Sequence, residues 1–151
     1  MRALTVLFLV LLAACGGGST ASVEPDPGPN AALDQFIRAV SDSNLARMAQ
    51  LWGTSSGSAA ETGKPSDYPR RIAIIHAYLR GSKVKVLAEP ERSSSRAVLL
   101  VEVTRDDCRR QVPFTLTRTG QGQWLVEAIE LGVLGSPGRP CAMDDRKPGD
   151  R

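Results

Sequence analysis

One histidine, three cysteines and no apolar run long enough to span a bilayer set the first limits on this chain. His76 alone cannot build a zinc site without carboxylate ligands, and no spacing of Asp and Glu singles out a set. The cysteines form no C-x-x-C pair. No G-x-x-x-x-G-K-[ST] loop occurs, and Ser55 and Ser56 lack a G-x-S-x-G elbow, so the sequence offers neither a nucleotide fingerprint nor an activated serine. Neither sign of charge dominates: 19 Lys and Arg face 16 Asp and Glu, a formal net charge of +3. No basic block interleaved with aromatics appears, which excludes nucleic acid as the natural partner. There is no internal repeat, and nothing implies a metal or a cofactor.

What the sequence does have begins at its start. Arg2 precedes "ALTVLFLVLLAA" (Ala3–Ala14), an uncharged apolar run. It matches the core of a signal peptide and falls short of the roughly 20 residues a spanning helix needs. "LAAC" (Leu12–Cys15) resembles the lipobox of bacterial lipoproteins. The resemblance implies cleavage after Ala14 and acylation of Cys15, which would hold the protein on a membrane through several acyl chains. The alternative is an ordinary cleaved leader with an incidental cysteine. Gly16, rather than Asp, follows the cysteine. In the lipobox pattern this points to the periplasmic side of the outer membrane where a cell has one, and otherwise to the cell envelope at large.

Residues 15–29 then read as the lipidated cysteine and a tether, glycine- and serine-rich first and stiffened by Pro25, Pro27 and Pro29. Loss of Arg2 with the leader lowers the basic count to 18, so the mature net charge is 18 − 16 = +2. About a hundred residues remain for a single domain over 30–134, enough for one core. With Cys15 acylated, Cys108 and Cys141 are left as an even pair. In an oxidising compartment they are expected to form a disulfide that ties down the tail, residues 135–151.

The domain reads as helices followed by strands. Asn30 is a candidate N-cap for a helix with Leu33, Phe36, Ile37 and Val40 on one face. "SDSN" (Ser41–Asn44) is a turn carrying a new cap. It leads into a second helix with Leu45, Met48, Leu51 and Trp52 on its apolar face. Gly53–Asp67 reads as a loop. Tyr68–Gly81 is a third helix, with Pro69 in its first turn, Gly81 as its stop, and Ile72, Ile75, His76 and Leu79 as its stripe. Four antiparallel strands follow. The first places Val84, Val86 and Ala88 on one face. Ser95–Arg105 is apolar on both faces and therefore central. Cys108–Arg118 carries Pro113, which implies a bulge or a local edge. Gly122–Leu131 closes the sheet. "TRDDC" and "RTGQGQ" are the hairpin turns.

This order makes the fold α+β. The segments Ala32–Ser58, Tyr68–Gly81 and Trp124–Leu131 together resemble the nuclear transport factor 2-like superfamily. The resemblance implies three N-terminal helices packed in the concave face of a curved antiparallel sheet, a cone with a pocket at its open end. It also implies either an isomerase or dehydratase or a non-enzymatic binding module, because one fold hosts both.

The candidate pocket residues are His76, Tyr68, Tyr78 and Trp52, with Asp34 and Asp67 as carboxylates within possible reach of the histidine. No motif fixes any of them to His76, so no catalytic residue is assigned. "GTSSGS" (Gly53–Ser58), with Lys64, Arg70 and Arg71 nearby, has the makings of an anion cradle, but a surface loop is the simpler reading. Asp106 and Asp107 belong to a solvated turn, and Glu127 and Glu130 fall on opposite faces of the last strand. Two functions fit. One is a membrane-anchored, non-catalytic module that binds a small ligand or an envelope protein. The other is a small isomerase or dehydratase with His76 as general base.

Two outcomes are expected. Cys15→Ala will release the protein from the membrane fraction or leave the precursor uncleaved; an unmodified Cys15 in the intact mass of the mature protein would refute the anchor. Cys108 and Cys141 will resist alkylation until reductant is added. Their bond closes a loop of 34 residues, counting both cysteines, for which chain entropy gives about 3.5–4 kcal/mol of stabilisation.

Overall fold

A computed structural model describes residues 28–140, so Cys15, the leader and the tether lie outside the described residues, as does Cys141. Among the described residues no helix is long and apolar enough to cross a membrane. The architecture is α+β: helices come first, then a four-stranded antiparallel sheet.

Helix α1 (Gly28–Ser41) begins two residues before the expected cap, so Asn30 lies within its first turn and exposed. Of the expected stripe, Leu33, Phe36 and Val40 are buried and Ile37 is partly buried, and Ala32 and Ala39 join them. Helix α2 (Leu45–Leu51) does start at the expected cap: the Asn44 side chain accepts a hydrogen bond from the Arg47 amide at 2.9 Å. Met48 and Leu51 point inward, but Leu45, in the first turn, is 41% exposed instead of joining the stripe.

The segment read as a loop is structured. Strands β1 (Gly53–Thr54) and β2 (Gly57–Ser58) make a tight hairpin, and a short fourth helix, α3 (Ala59–Thr62), follows. The count is therefore four helices rather than three among the described residues. The cause is local. Ser58 and Glu61 form a reciprocal capping box, and Gly63 ends the turn in the left-handed conformation at φ 63°. Gly53 is dictated by a close approach, since a Cβ there would sit 2.3 Å from the Gly57 carbonyl oxygen.

Helix α4 (Tyr68–Leu79) buries Ile72, Ile75 and Leu79. The main sheet runs β3 (Lys83–Arg92), β4 (Arg96–Arg105), β5 (Cys108–Arg118) and β6 (Trp124–Ile129) in that spatial order, every neighbour antiparallel. β3 and β6 are its edges, and β4, apolar on both faces, is central as its sequence requires. Register shifts between Val86 and Ala88, and again before Glu91, break the alternation of β3. Ala88 is consequently exposed rather than on the face of Val84 and Val86.

Pro113 shows why a proline is tolerated inside β5. Its carbonyl accepts from the Glu130 amide at 3.3 Å, just past the end of β6. The N and C=O of one residue in an antiparallel strand point the same way. The missing N–H of Pro113 therefore faces the place where pairing runs out, a local edge. For the same reason β6 stops at Ile129 and does not reach Leu131. Leu131–Leu134 form a 3-10 helix with Leu134 buried. Residues read as the start of the tail make a further hairpin of β7 (Gly135–Ser136) and β8 (Arg139–Pro140). The Arg105 guanidinium, at the β4–β5 turn, donates to the Pro137 carbonyl and holds this hairpin against the sheet end.

One face of the sheet meets the helices. Ala97, Leu99, Val101 and Val103 of β4 and Val112, Phe114 and Leu116 of β5 form a single cluster with Phe36, Met48, Ile72 and Leu79. Trp124 and Val126 extend it along β6. Phe36 and Phe114 are both fully buried. Phe114→Ala is expected to cost about 3–5 kcal/mol, read from chemical denaturation. Gly53→Ala is expected to lose about 2 kcal/mol or more, through overpacking against backbone that cannot yield. Gly120→Ala, where nothing lies within 4 Å, serves as the neutral comparison.

Candidate functional site

The sequence-named residues are not brought into one cavity. Trp52 caps the end of α2 in an extended conformation and makes an isolated parallel bridge to Val126. This bridge sets its ring, only 8% exposed, at the seam between α4 and β6. There a groove of about 280 Å³ opens, lined by Trp52, Arg71, Ile74, Ile75, Glu127, Ala128, Ile129 and Leu131. Ile74 is 42% exposed, a large apolar side chain left bare at the rim. Arg71 and Glu127 supply one charge of each sign.

The start of α4 fixes Arg71. Its Nε donates to both Asp67 carboxylate oxygens, at 3.0 and 3.1 Å, one turn back on the same face. That side-chain hydrogen bond holds the Asp67 carboxyl below its usual value of 3.8, with the guanidinium charge adding to it. The pair is solvated, so its stabilising effect is small. The cradle considered for "GTSSGS" is therefore not assembled as an anion site. Arg71 is engaged by Asp67 beside the apolar groove, and Lys64, Arg70 and Arg71 are all absent from the lining of the cavity over that loop.

His76 is half-buried on α4, and its Nε2 lies 3.2 Å from the Ser43 hydroxyl in the turn between α1 and α2. Among the described residues this is its hydrogen bond; no carboxylate or tyrosine holds the ring. Ser43 takes a positive φ of 53°, an unusual conformation for serine that brings its side chain to the helix. Tyr68 is partly buried against the core at the start of α4. Tyr78 lines a different space, a gap of about 10 Å³ shared with Ser82, Val103, Arg105, Cys108, Leu134 and Ser136. That is at the lower limit of about 10–15 Å³ for holding one water. Ser82 Oγ, buried there without a partner, is the polar group such a water would satisfy. Cys108 is engaged rather than free. Its expected partner, Cys141, lies outside the described residues.

A third cavity, of about 420 Å³, is polar. It lies between the β1–β2 turn with α3 and the β5–β6 turn, lined by Ser55, Ser56, Gly57, Glu61, Thr62, Thr119, Gly120, Gln121 and Gln123. None of these three cavities is lined by His76 or Tyr68. Among the described residues no group of three His, Cys, Asp or Glu is placed to hold a metal ion. Sequence reasoning missed Ile74, Ile129 and Leu131 of the groove and the whole β5–β6 wall of the polar cavity. The S-x-x-E spacing of Ser58 and Glu61 was the available signal for α3. Nothing in the sequence joins residue 55 to residue 121.

No family model matches this chain, and no curated protein matches it at a significant level.

His76→Gln is expected to change stability by no more than about 1 kcal/mol, the worth of one hydrogen bond to a neutral partner, in thermal or denaturant unfolding. The Asp67 pair has a defined pH sign. Its carboxyl is depressed on folding, so its contribution is present above the ordinary Asp value and is lost as pH falls through the depressed one. Melting curves of the wild type and Asp67→Asn should differ slightly at neutral pH and converge in acid.

Proposed function

We propose that this chain is a lipid-anchored protein of the bacterial cell envelope. Its domain, of the cone-shaped nuclear transport factor 2-like kind, binds a small apolar ligand in the groove beside Trp52 and catalyses no reaction. The observation that carries the reading is the make-up of that groove. A tryptophan, three isoleucines and a leucine converge on an open space with only two charged side chains, one of each sign. Small-molecule sites are built in this way, mostly apolar with a few polar groups that orient the ligand. The lipobox "LAAC" supports the anchor, and the tether after Cys15 supports a domain that works within reach of the bilayer. On the outer-membrane reading it faces the periplasm.

The hydrogen bonding of His76 favours binding over catalysis. A general base needs reach to a substrate and a partner that sets its basicity. Here the imidazole meets a serine hydroxyl in a helix–helix turn, away from the groove lining. Helices before an open antiparallel sheet support the superfamily resemblance.

The test is complementation in a strain where loss of the protein has a measurable phenotype. Ile74→Asp places a charge on the exposed rim of the groove and is expected to abolish complementation at normal protein level and export. His76→Gln is expected to complement fully. The reverse pattern would overturn the binding reading in favour of catalysis.

A further inference from the structure

We infer that the polar cavity between the β1–β2 and β5–β6 turns is a second binding site, specific for a neutral, polyhydroxylated ligand such as one or two sugar units. This goes beyond the groove reading and does not depend on it.

The two walls of the cavity complete their own backbone hydrogen bonding with a small subset of the polar residues. On one wall the Thr54 hydroxyl accepts from the Ser56 amide. Ser58 and Glu61 bond each other, and the Thr62 hydroxyl donates to the Ser58 carbonyl at 2.8 Å. On the other wall the Thr119 amide donates to Gln123 and the Gly122 amide to Thr119, at 2.8 and 2.9 Å. The Thr119 hydroxyl accepts from the Gln123 amide, and Arg118 Nε donates to the Gly122 carbonyl. Both turns are thus held before any ligand arrives, which lowers the ordering cost of binding.

What is left over is informative. The hydroxyls of Ser55 and Ser56 and the carboxamides of Gln121 and Gln123 line the cavity and are not used to hold either turn. Glu61 accepts both of its bonds from Ser58 on Oε2, which leaves Oε1 as a further acceptor. Hydroxyls and carboxamides each donate and accept. A surface made of them matches a ligand whose groups also do both, which describes a sugar hydroxyl.

The lining also states what the cavity refuses. It contains no Lys or Arg, and the Glu61 carboxylate repels an anion. A single carboxylate already carrying two hydrogen bonds is a poor cation site. An apolar ligand would strip water from these polar groups and return no hydrogen bonds. The volume of about 420 Å³ lies within the range of about 300–1,000 Å³ usual for small-molecule sites.

The experiment is saturation-transfer NMR on the mature full chain, purified in a detergent without a sugar headgroup. The probes are cellobiose, N,N′-diacetylchitobiose, glucose and glucose 6-phosphate. Saturation transfer to a neutral saccharide is expected, with glucose 6-phosphate weaker than glucose. Gln121→Ala with Gln123→Ala should weaken binding by about tenfold or more, the loss of two hydrogen bonds. Ser55→Ala with Ser56→Ala, on the opposite wall, should weaken it comparably, with melting temperatures unchanged. Ile74→Asp should leave saccharide binding intact, which separates this site from the groove. No transfer to any neutral saccharide, transfer undiminished in both double variants, or preference for the phosphate would overturn the inference.

Discussion

The short bridge between Trp52 and Val126 is the joint on which the arrangement depends. It converts the end of α2 into a strand-like segment laid along the edge of the sheet. After Trp52, β1 lies against β6 and the chain turns back on itself at once into β2. The turn is possible only because Gly53 allows backbone atoms to close within a distance that a Cβ would forbid. The Trp52 carbonyl then receives the Ala59 amide at 2.8 Å, which pulls α3 against the same seam. Both candidate binding spaces are consequences of this joint. Trp124, Leu125 and Val126 are buried beside this joint. From Glu127 onward β6 and the chain after it line the apolar groove together with α4. On the other side of the joint, the β1–β2 turn stands opposite the β5–β6 turn and leaves the polar cavity.

The two spaces differ in chemistry because they are built from different kinds of sequence. The groove draws on the flank of α4 and the outgoing end of β6, segments selected for burial, so its surface is what the core left unfilled. The polar cavity draws on turn residues, where serine, threonine, glutamine and glycine satisfy local backbone geometry. A binding surface assembled from turns carries donors and acceptors without formal charge, apart from Glu61. The domain therefore offers solvent two surfaces of opposite character, each joining residues from the first half of the domain to residues of the β5–β6 end of the sheet.

Most of the architecture was legible in the sequence for reasons that are local. Helical spacing in α1 and α4, the Asn44 cap and the alternation in β4 and β5 each follow from periodicity or from one hydrogen bond. The failures are equally physical. Ala88 leaves the face that simple alternation implies because a bulge displaces the register by one residue, and one residue inverts a strand's faces. Leu45 fits the helical period of core residues, yet the first turn of this short helix lies outside the packed region. Residues 53–67 looked like a loop because small polar residues form tight hairpins and capped turns as readily as open coil. Of the candidate site, Trp52 was named from the sequence. The groove around it was not, because its walls are joined only by the packing of α4 against the sheet. His76 drew attention as the single histidine, but its neighbour Ser43 is set by a helix–helix turn that no spacing rule encodes.

The two register shifts in β3 have a consequence of a different kind. β3 is the sheet edge remote from the Trp52 joint, and an open edge presents unpaired amides and carbonyls to any strand that approaches. Its shifted pairing distorts that row, and Lys83 and Lys85 add charge at its beginning. Edge-to-edge pairing between copies would have to bury or bend around both. For a domain concentrated in two dimensions on a membrane, as proposed, collisions between neighbours are frequent and their edges are oriented alike. A β3 made a poor template in this way would let the domain crowd at a surface without seeding a continuous sheet.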